Sequence, residues 1–404
     1  MAQGRPIAPR DMFSRVQIVA TRGQFPGGLG GSGNTLVEGR YKARTGKSPV
    51  YGLQYLFANR YLQDTAQGEA AGSHDMTVTA ALEFLRTAPS TMATLAMRFR
   101  GQNSSVLSAG SPRLLTDPLA ILLPADSEIY IRCAAAVTGG QQWVGGFEKK
   151  TTVDAMVEGS QPTQIYGTGV FGLPSGGANI AATTQGYGGF GPVAVLGVPE
   201  TPFPSALIVG DSIGKGVNDT SAGDGNGNKG YIEVGLWSVN GHVVPWSNLS
   251  KTGDRVIFND NVGGLSRRDM MDYCSHVIVQ EVTNDVVVQT LAVIQPQLAA
   301  IWAAAKARGK KVYQCLVMPR TDSSNVALTN FLPGGVRDQL NTWITQQVGT
   351  LIDGIIDPNP YVEDPANPGK WLPGLLPSDG THPTPAGVIA AAPAVTAVAA
   401  TWTV

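Results

Sequence analysis

Apolar and polar positions along the 404-residue chain change their rhythm near residue 200. From about Pro49 to Glu148 they alternate in short runs: Met76-Thr77-Val78-Thr79-Ala80, Met92 to Phe99, and Ile129-Tyr130-Ile131-Arg132-Cys133. Successive side chains of a strand face opposite ways, so alternation marks half-buried strands, and turns such as Ala109-Gly110-Ser111-Pro112 punctuate them. Short strands at close spacing predict an antiparallel β-sandwich, jelly-roll-like, over residues 46–200. Residues 1–45 contain the tract Gly23 to Gly33 and are expected to form a Gly-rich arm. A second Gly-rich stretch, Gly167 to Gly197, is expected to be a linker leading to the boundary at Pro202-Phe203-Pro204.

Beyond Pro204 the pattern becomes strand, loop, helix, repeated. Strands are expected at Ala206 to Gly210, His242 to Trp246, His276 to Glu281, Lys311 to Met318 and Leu351 to Ile356. Helical patterns follow at Ser266 to Cys274, Val286 to Arg308, Val336 to Gln347 and after Pro385. Alternating strands and helices imply a doubly wound, flavodoxin-like α/β domain over residues 201–404, with a five-stranded parallel sheet. Such sheets carry their chemistry at the carboxyl ends of the strands.

Composition narrows the function. There are 29 basic and 30 acidic residues in no like-charged block, so nothing builds the field that nucleic acid or an anionic membrane would need. Charged residues are 15% of the chain, against roughly 25% in an average domain. With 50 Gly and 27 Pro, that composition suits a loop-rich, largely β protein. Three dispersed cysteines, Cys133, Cys274 and Cys315, offer neither a disulfide framework nor a zinc pair. Met1 to Gln17 lacks a signal-peptide run, and Val388 to Val404 is too short and Ala-rich to span a bilayer. The expectation is a soluble protein without membrane insertion, cytoplasmic or particle-associated unless a leader has been removed.

At the end of the first expected strand stands Gly210-Asp211-Ser212-Ile213-Gly214, where glycines let a strand turn sharply into a helix and expose a hydroxyl. Near the end of the chain is Ser378-Asp379-Gly380-Thr381-His382-Pro383. Alone, the first could be a helix cap and the second a turn with a helix-starting proline. Together they hold a serine, a base to take its proton, and a carboxylate to fix the base's tautomer. Two more segments fall at intermediate strand ends. Asn248 to Asp254 contains Gly253, which can offer a bare backbone N–H. Thr283-Asn284-Asp285 contains an amide donor, with Asp285 expected only to cap the long helix.

Over about residues 205–404 these segments resemble the SGNH hydrolases, also called GDSL esterases. That family's blocks are a GDS serine, a glycine after the second strand, an Asn in G-x-N-D and a C-terminal D-x-x-H. Here they match Gly210-Asp211-Ser212, Gly253, Asn284-Asp285 and Asp379 to His382, in that order. One departure stands out: Val282 takes the place of the glycine two residues before Asn284. The resemblance implies a Ser212–His382–Asp379 triad and an oxyanion hole from the Ser212 and Gly253 N–H groups and the Asn284 side chain. No cofactor or metal is implied. The α/β-hydrolase fold, which residues 210–214 also match literally, puts its serine after several strands and separates Asp from His, so it fits poorly.

The reading is a serine ester hydrolase working through an acyl-enzyme. Its expected partner is an ester substrate, an acetylated or short-acyl glycan, because a sandwich ahead of an SGNH domain resembles carbohydrate esterases. Arg320 and Trp371 are candidates for substrate contact or for packing. The alternative is a structural or receptor-binding surface protein of a virus particle or cell, a homo-oligomer or particle component that retains the fold and even a deacetylase activity. Other motif-like stretches are weak. Gly28 to Gly33 lacks an enclosing βαβ unit, and Asp224-Gly225-Asn226-Gly227-Asn228 has Lys229 where a calcium loop needs glycine. His74, His242 and His276 are expected to be structural.

Overall fold

The computed structural model describes residues 16–30, 35–63, 68–85, 92–148, 150–151, 154–159, 189–219, 226–259 and 265–404. A parallel sheet runs, in spatial order, Gly23–Gln24, Trp246–Asn248, Ala206–Gly210, His276–Gln280, Lys311–Cys315 and Gly354–Ile356. Ala206–Gly210 and His276–Gln280 are buried at every position, as strands covered on both faces must be. Strand order reverses between them, so a crevice opens at their carboxyl ends, which hold Gly210 and Gln280.

The sheet thus has six strands rather than the expected five. The extra one, Gly23–Gln24, comes from the segment read as an arm. An edge strand leaves a row of unpaired backbone groups, and Gly23 can reach that of Trp246–Asn248 because it has no side chain. A Cβ at Gly23 would collide with the Val193 carbonyl and the Ser247 hydroxyl. The second expected strand is also displaced, from His242–Trp246 to Trp246–Asn248. His242 instead bridges back to Val239 in a turn, and Pro245 has no N–H to give a ladder. The helix expected over 286–308 is two helices, Thr283–Val288 and Leu291–Lys306, because Gln289 and Thr290 are extended. Helix Gly230–Leu236, against Pro385–Ala399, had no clear apolar period in the sequence.

Two larger antiparallel sheets form most of the other half, beside the two-stranded pairs Gly28–Leu29 with Val144–Gly145 and Arg60–Leu62 with Glu69–Ala71. One contains Gln17–Ile18, Ala194–Pro199, Val50–Phe57, Leu114–Leu115 and Leu122–Leu123. The other contains Ser104–Leu107, Met76–Leu85, Glu128–Ala136, Leu36–Arg44, Ala155–Gly159 and Met92–Met97. Leu53, Tyr55 and Phe57 from the first share one core with Tyr41, Val78, Leu82, Ile129 and Ile131 from the second. Two expectations change. Leu36–Arg44, placed in the arm, is an interior strand whose alternate residues Val37, Tyr41 and Ala43 face the core. Ala194–Pro199, placed largely in the linker, is a fully buried strand; residues 167–188 of that stretch lie outside the described residues.

The halves are knit together. One apolar cluster joins Ile18, Phe25, Leu56, Leu62 and Leu196 to Leu207, Val209, Val277 and Val279. Lys150 forms a buried ion pair with Glu233 at 2.8 Å. Cys133, Cys274 and Cys315 are buried and free. Among the described residues no helix is long and apolar enough to cross a membrane.

Candidate active site

The first parallel strand ends at Gly210, and the chain turns at once into the short helix Ser212–Lys215. Asp211 caps it, its carboxylate accepting from the Ile213 N–H at 2.9 Å. Burial pushes the Asp211 carboxyl up to about 6, against that bond. Gly210 and Gly214 are steric requirements: a Cβ on either would come within 3.0 Å of both Ser250 Oγ and Gln280 Oε1. Gln280 ends the third strand and accepts from the Gly214 N–H at 2.6 Å, fastening the turn. Its polarity at the end of an apolar strand was a visible signal that the sequence reading passed over.

His382 reaches this turn from the loop before the last helix. Its Nε2 lies 2.7 Å from Ser212 Oγ, and its Nδ1 lies 2.6 Å from Asp379 Oδ2. Asp379 Oδ1 accepts from the N–H groups of Thr381 and His382, both at 2.9 Å. Burial alone would raise the Asp379 pKa, but the bonds from His382 and Thr381 hold it below the usual carboxylate value. Asn218, which no sequence motif marked, donates to Asp379 Oδ2 at 3.0 Å.

Trp371 is wholly buried beneath this loop, its indole N–H donating to the Gly380 carbonyl at 3.0 Å. Of its two candidate roles the structure places it in packing: no surface is left for a substrate. Gly380 has φ +68°, and a Cβ there would collide with the Thr321 carbonyl. Thr321 N–H also donates to Gly380 O at 2.9 Å, tying the loop after the fourth strand to the Asp-to-His turn. Arg320 lies in that loop. Burial lowers its pKa, against the pull of Asp211 and Asp379, and its Nη1 is buried with no hydrogen-bond partner among the described residues.

The other two blocks meet each other. Gly253 has φ +72° with open space beside its Cα. Asn284, in helix Thr283–Val288, donates from Nδ2 to the carbonyl of Asp254, next to Gly253, at 3.0 Å. Asp285 does not cap the long helix. It is buried, accepts from the Val256 N–H at 3.2 Å, and burial pushes it up to about 7.

Val282 occupies φ +96°, the left-handed region where a β-branched residue is strained by about 1–2 kcal/mol. Its side chain is fully buried in the apolar cluster, which contributes about 1.5–3 kcal/mol and offsets the strain. The helix starts directly after it, so Asn284 lies in the first turn.

Elsewhere, His276 stacks on Trp402 at 4.1 Å between ring centroids, and burial pushes its pKa down to about 4. His242 pairs with Asp126 at 2.7 Å and His74 with Ser73. Among the described residues no group of three or more His, Cys, Asp or Glu is arranged to hold a metal ion.

Residues 208–388 match the model of the GDSL-like lipase/acylhydrolase family. Solved structures similar to the chain include a GDSL-like lipase from Bacteroides thetaiotaomicron, 18% identical, covering 49% of this chain and 90% of that one, with TM-score 0.33. A carbohydrate esterase family 3 protein from Talaromyces cellulolyticus is 16% identical over 48% of this chain and 96% of its own, with TM-score 0.34. A family two carbohydrate esterase from Cellvibrio japonicus is 11% identical over 89% of this chain and 97% of its own, with TM-score 0.36. The curated proteins contain no match. From the strand before the serine to the helix after the histidine, the chain is similar to the GDSL-like lipase/acylhydrolase family.

Proposed function

We propose that this protein is a serine carboxylic ester hydrolase that removes acetyl or other short acyl groups from a carbohydrate. The observation that carries the reaction is the relay of 2.7 Å from Ser212 Oγ to His382 Nε2 and 2.6 Å from His382 Nδ1 to Asp379. His382 takes the Ser212 proton as the oxygen attacks the ester carbonyl, then returns it to the departing alkoxide. Asp379 holds the imidazole with Nε2 facing the serine and stabilises the imidazolium. Water, deprotonated by the same histidine, then releases the acid from the acyl-enzyme. The negative oxygen of each tetrahedral intermediate is assigned to the N–H groups of Ser212 and Gly253 and the Asn284 amide. That amide carries two N–H bonds, and only one is needed for Asp254.

A polar alcohol suits the surroundings. The Asp379 side chain is 40% exposed, and Asn218 and the unpartnered Arg320 Nη1 lie beside it. The antiparallel half, which includes strands Gln17–Ile18 and Leu36–Arg44, is assigned to a carbohydrate-facing accessory domain, and residues 201–404 to the catalytic domain. A purely structural role would need none of the three relay residues. The test is release of acetate from acetylated polysaccharide and from a small acetyl ester, compared with Ser212→Ala. Turnover of the small ester without the polymer would overturn the glycan assignment, and turnover of neither would overturn the esterase.

A further inference from the structure

Glu69 lies in Glu69–Ala71, a strand paired with Arg60–Leu62 in the N-terminal half, yet its side chain is fully buried. Its carboxylate accepts from the N–H groups of Ser266 at 3.2 Å and Arg267 at 2.9 Å, at the start of helix Leu265–Asp269. It also stands 3.8 Å from Arg267 Nε. On its far side Arg60 approaches at 3.4 Å. Arg267 is itself almost wholly buried, and its Nη1 meets Asp254 Oδ2 at 2.5 Å. Asn259 shares that oxygen at 3.1 Å and ties it to Glu281 at 2.6 Å.

These contacts converge on one peptide. Asp254 follows Gly253, and its carbonyl receives the Asn284 amide. Its side chain therefore decides where two of the three proposed oxyanion donors point. A buried guanidinium is costly unless paired, and only well-placed carboxylates hold it in one orientation. Burial alone would lower the Arg267 pKa, but Asp254, Glu281 and Glu69 together raise it. The N-terminal half supplies Glu69, which accepts from the Arg267 backbone N–H and sets its charge 3.8 Å from Nε without a hydrogen bond to that atom.

We propose that Glu69 is a positioning residue for the oxyanion hole, holding Arg267, which holds Asp254 and through it Gly253 and Asn284. The proposal rests on the esterase reading and makes the N-terminal half part of the catalytic machinery. Donors placed for a transition state lose their value when misaimed by a fraction of an ångström.

The test is steady-state hydrolysis of a short-chain ester by the full chain carrying Glu69→Gln, which keeps size and hydrogen-bond acceptance but removes the charge. Arg267→Lys reads the same link from the other side. Either variant is expected to lower kcat by about 10- to 100-fold with KM within about threefold, as a loss confined to the transition state should. In an Asn284→Ala background the Glu69→Gln effect should largely disappear, because the donor it serves is gone. A merely structural role would lower the melting temperature and leave both the kcat-to-KM split and this non-additivity absent. Folded Glu69→Gln or Arg267→Lys protein with kcat within twofold of wild type overturns the proposal, as does full additivity with Asn284→Ala. An inactive wild type would instead overturn the esterase reading.

Discussion

His382 Nε2 sits 2.7 Å from Ser212 Oγ, although 170 residues separate the two in the chain. A fluorophosphonate reacts quickly only with a serine whose proton has somewhere to go. It is therefore expected to label Ser212 and no other residue, with mass spectrometry locating the adduct. Ser212→Ala should lose both label and turnover. A label elsewhere on folded protein would show that the relay is not the reactive centre.

Asn284→Ala is expected to lower kcat by about two to three orders of magnitude with little change in KM, since the amide meets full charge only in the transition state. Kinetics on one short ester, with thermal melts to check folding, decide the point. Normal turnover would remove Asn284 from the oxyanion hole.

Asn218 donates to Asp379 Oδ2, the oxygen that also faces His382 Nδ1, from a left-handed backbone position, φ +65°. Asn218→Gly keeps that conformation and deletes only the amide. Its expected cost is several-fold in kcat, roughly tenfold at most, because four hydrogen bonds on the carboxylate become three. A loss as large as that of Asp379→Ala would mean that Asn218 touches substrate.

Burial pushes the Glu38 carboxyl up to about 8 and Asp285 up to about 7, from 4.5 and 3.8. A carboxyl with a raised folded pKa stabilises the fold fully below its unfolded pKa and loses that contribution as pH rises through the folded value. His276, lowered to about 4, opposes this only below its unfolded value of 6.5. The melting temperature should therefore fall by a few degrees, on the order of 2–5 °C, between pH 6.5 and 8.5. Glu38→Gln should flatten the fall. A melting temperature that rises over that range would contradict the sign.

A fragment of residues 202–404 is expected to be insoluble or to melt without cooperativity, and to hydrolyse no ester. It would lack Ile18, Phe25, Leu56 and Leu62 from the shared apolar cluster and leave Glu233 buried without Lys150. Removing one partner of a buried pair costs about 3–5 kcal/mol, a large share of a typical domain's stability. A soluble fragment with wild-type kcat would show that the halves are independent.

The second half was legible because its signals are local. Strand Ala206–Gly210 is a continuous apolar run bounded by Pro204 and a glycine. Gly210, Ser212, Gly253, Asn284, Asp379 and His382 each sit at a strand end or turn where backbone geometry restricts the residue types. The order of those blocks sufficed to bring three of them together before any distance was known. Gln280 could have been found too, as the polar end of an otherwise apolar strand.

The rest depended on pairings that no local pattern encodes. Gly23 reads as a flexible glycine in isolation and becomes an edge strand only because Trp246–Asn248 offers it a ladder. Leu36–Arg44 is interrupted by Glu38, Gly39 and Arg40, so its strand character shows only where Glu83 answers Arg40 across the sheet at 2.7 Å. Trp371 could have served substrate or core by composition alone, and burial decided for the core. Sequence by itself determined the alternation of strands and helices and the residue types at the strand ends, since these follow from side-chain period and allowed backbone angles. Tertiary structure alone decided that Glu69 and Lys150 enter the other half. A charge can be buried only where an opposite one is waiting, and that meeting joins residues nearly 200 positions apart.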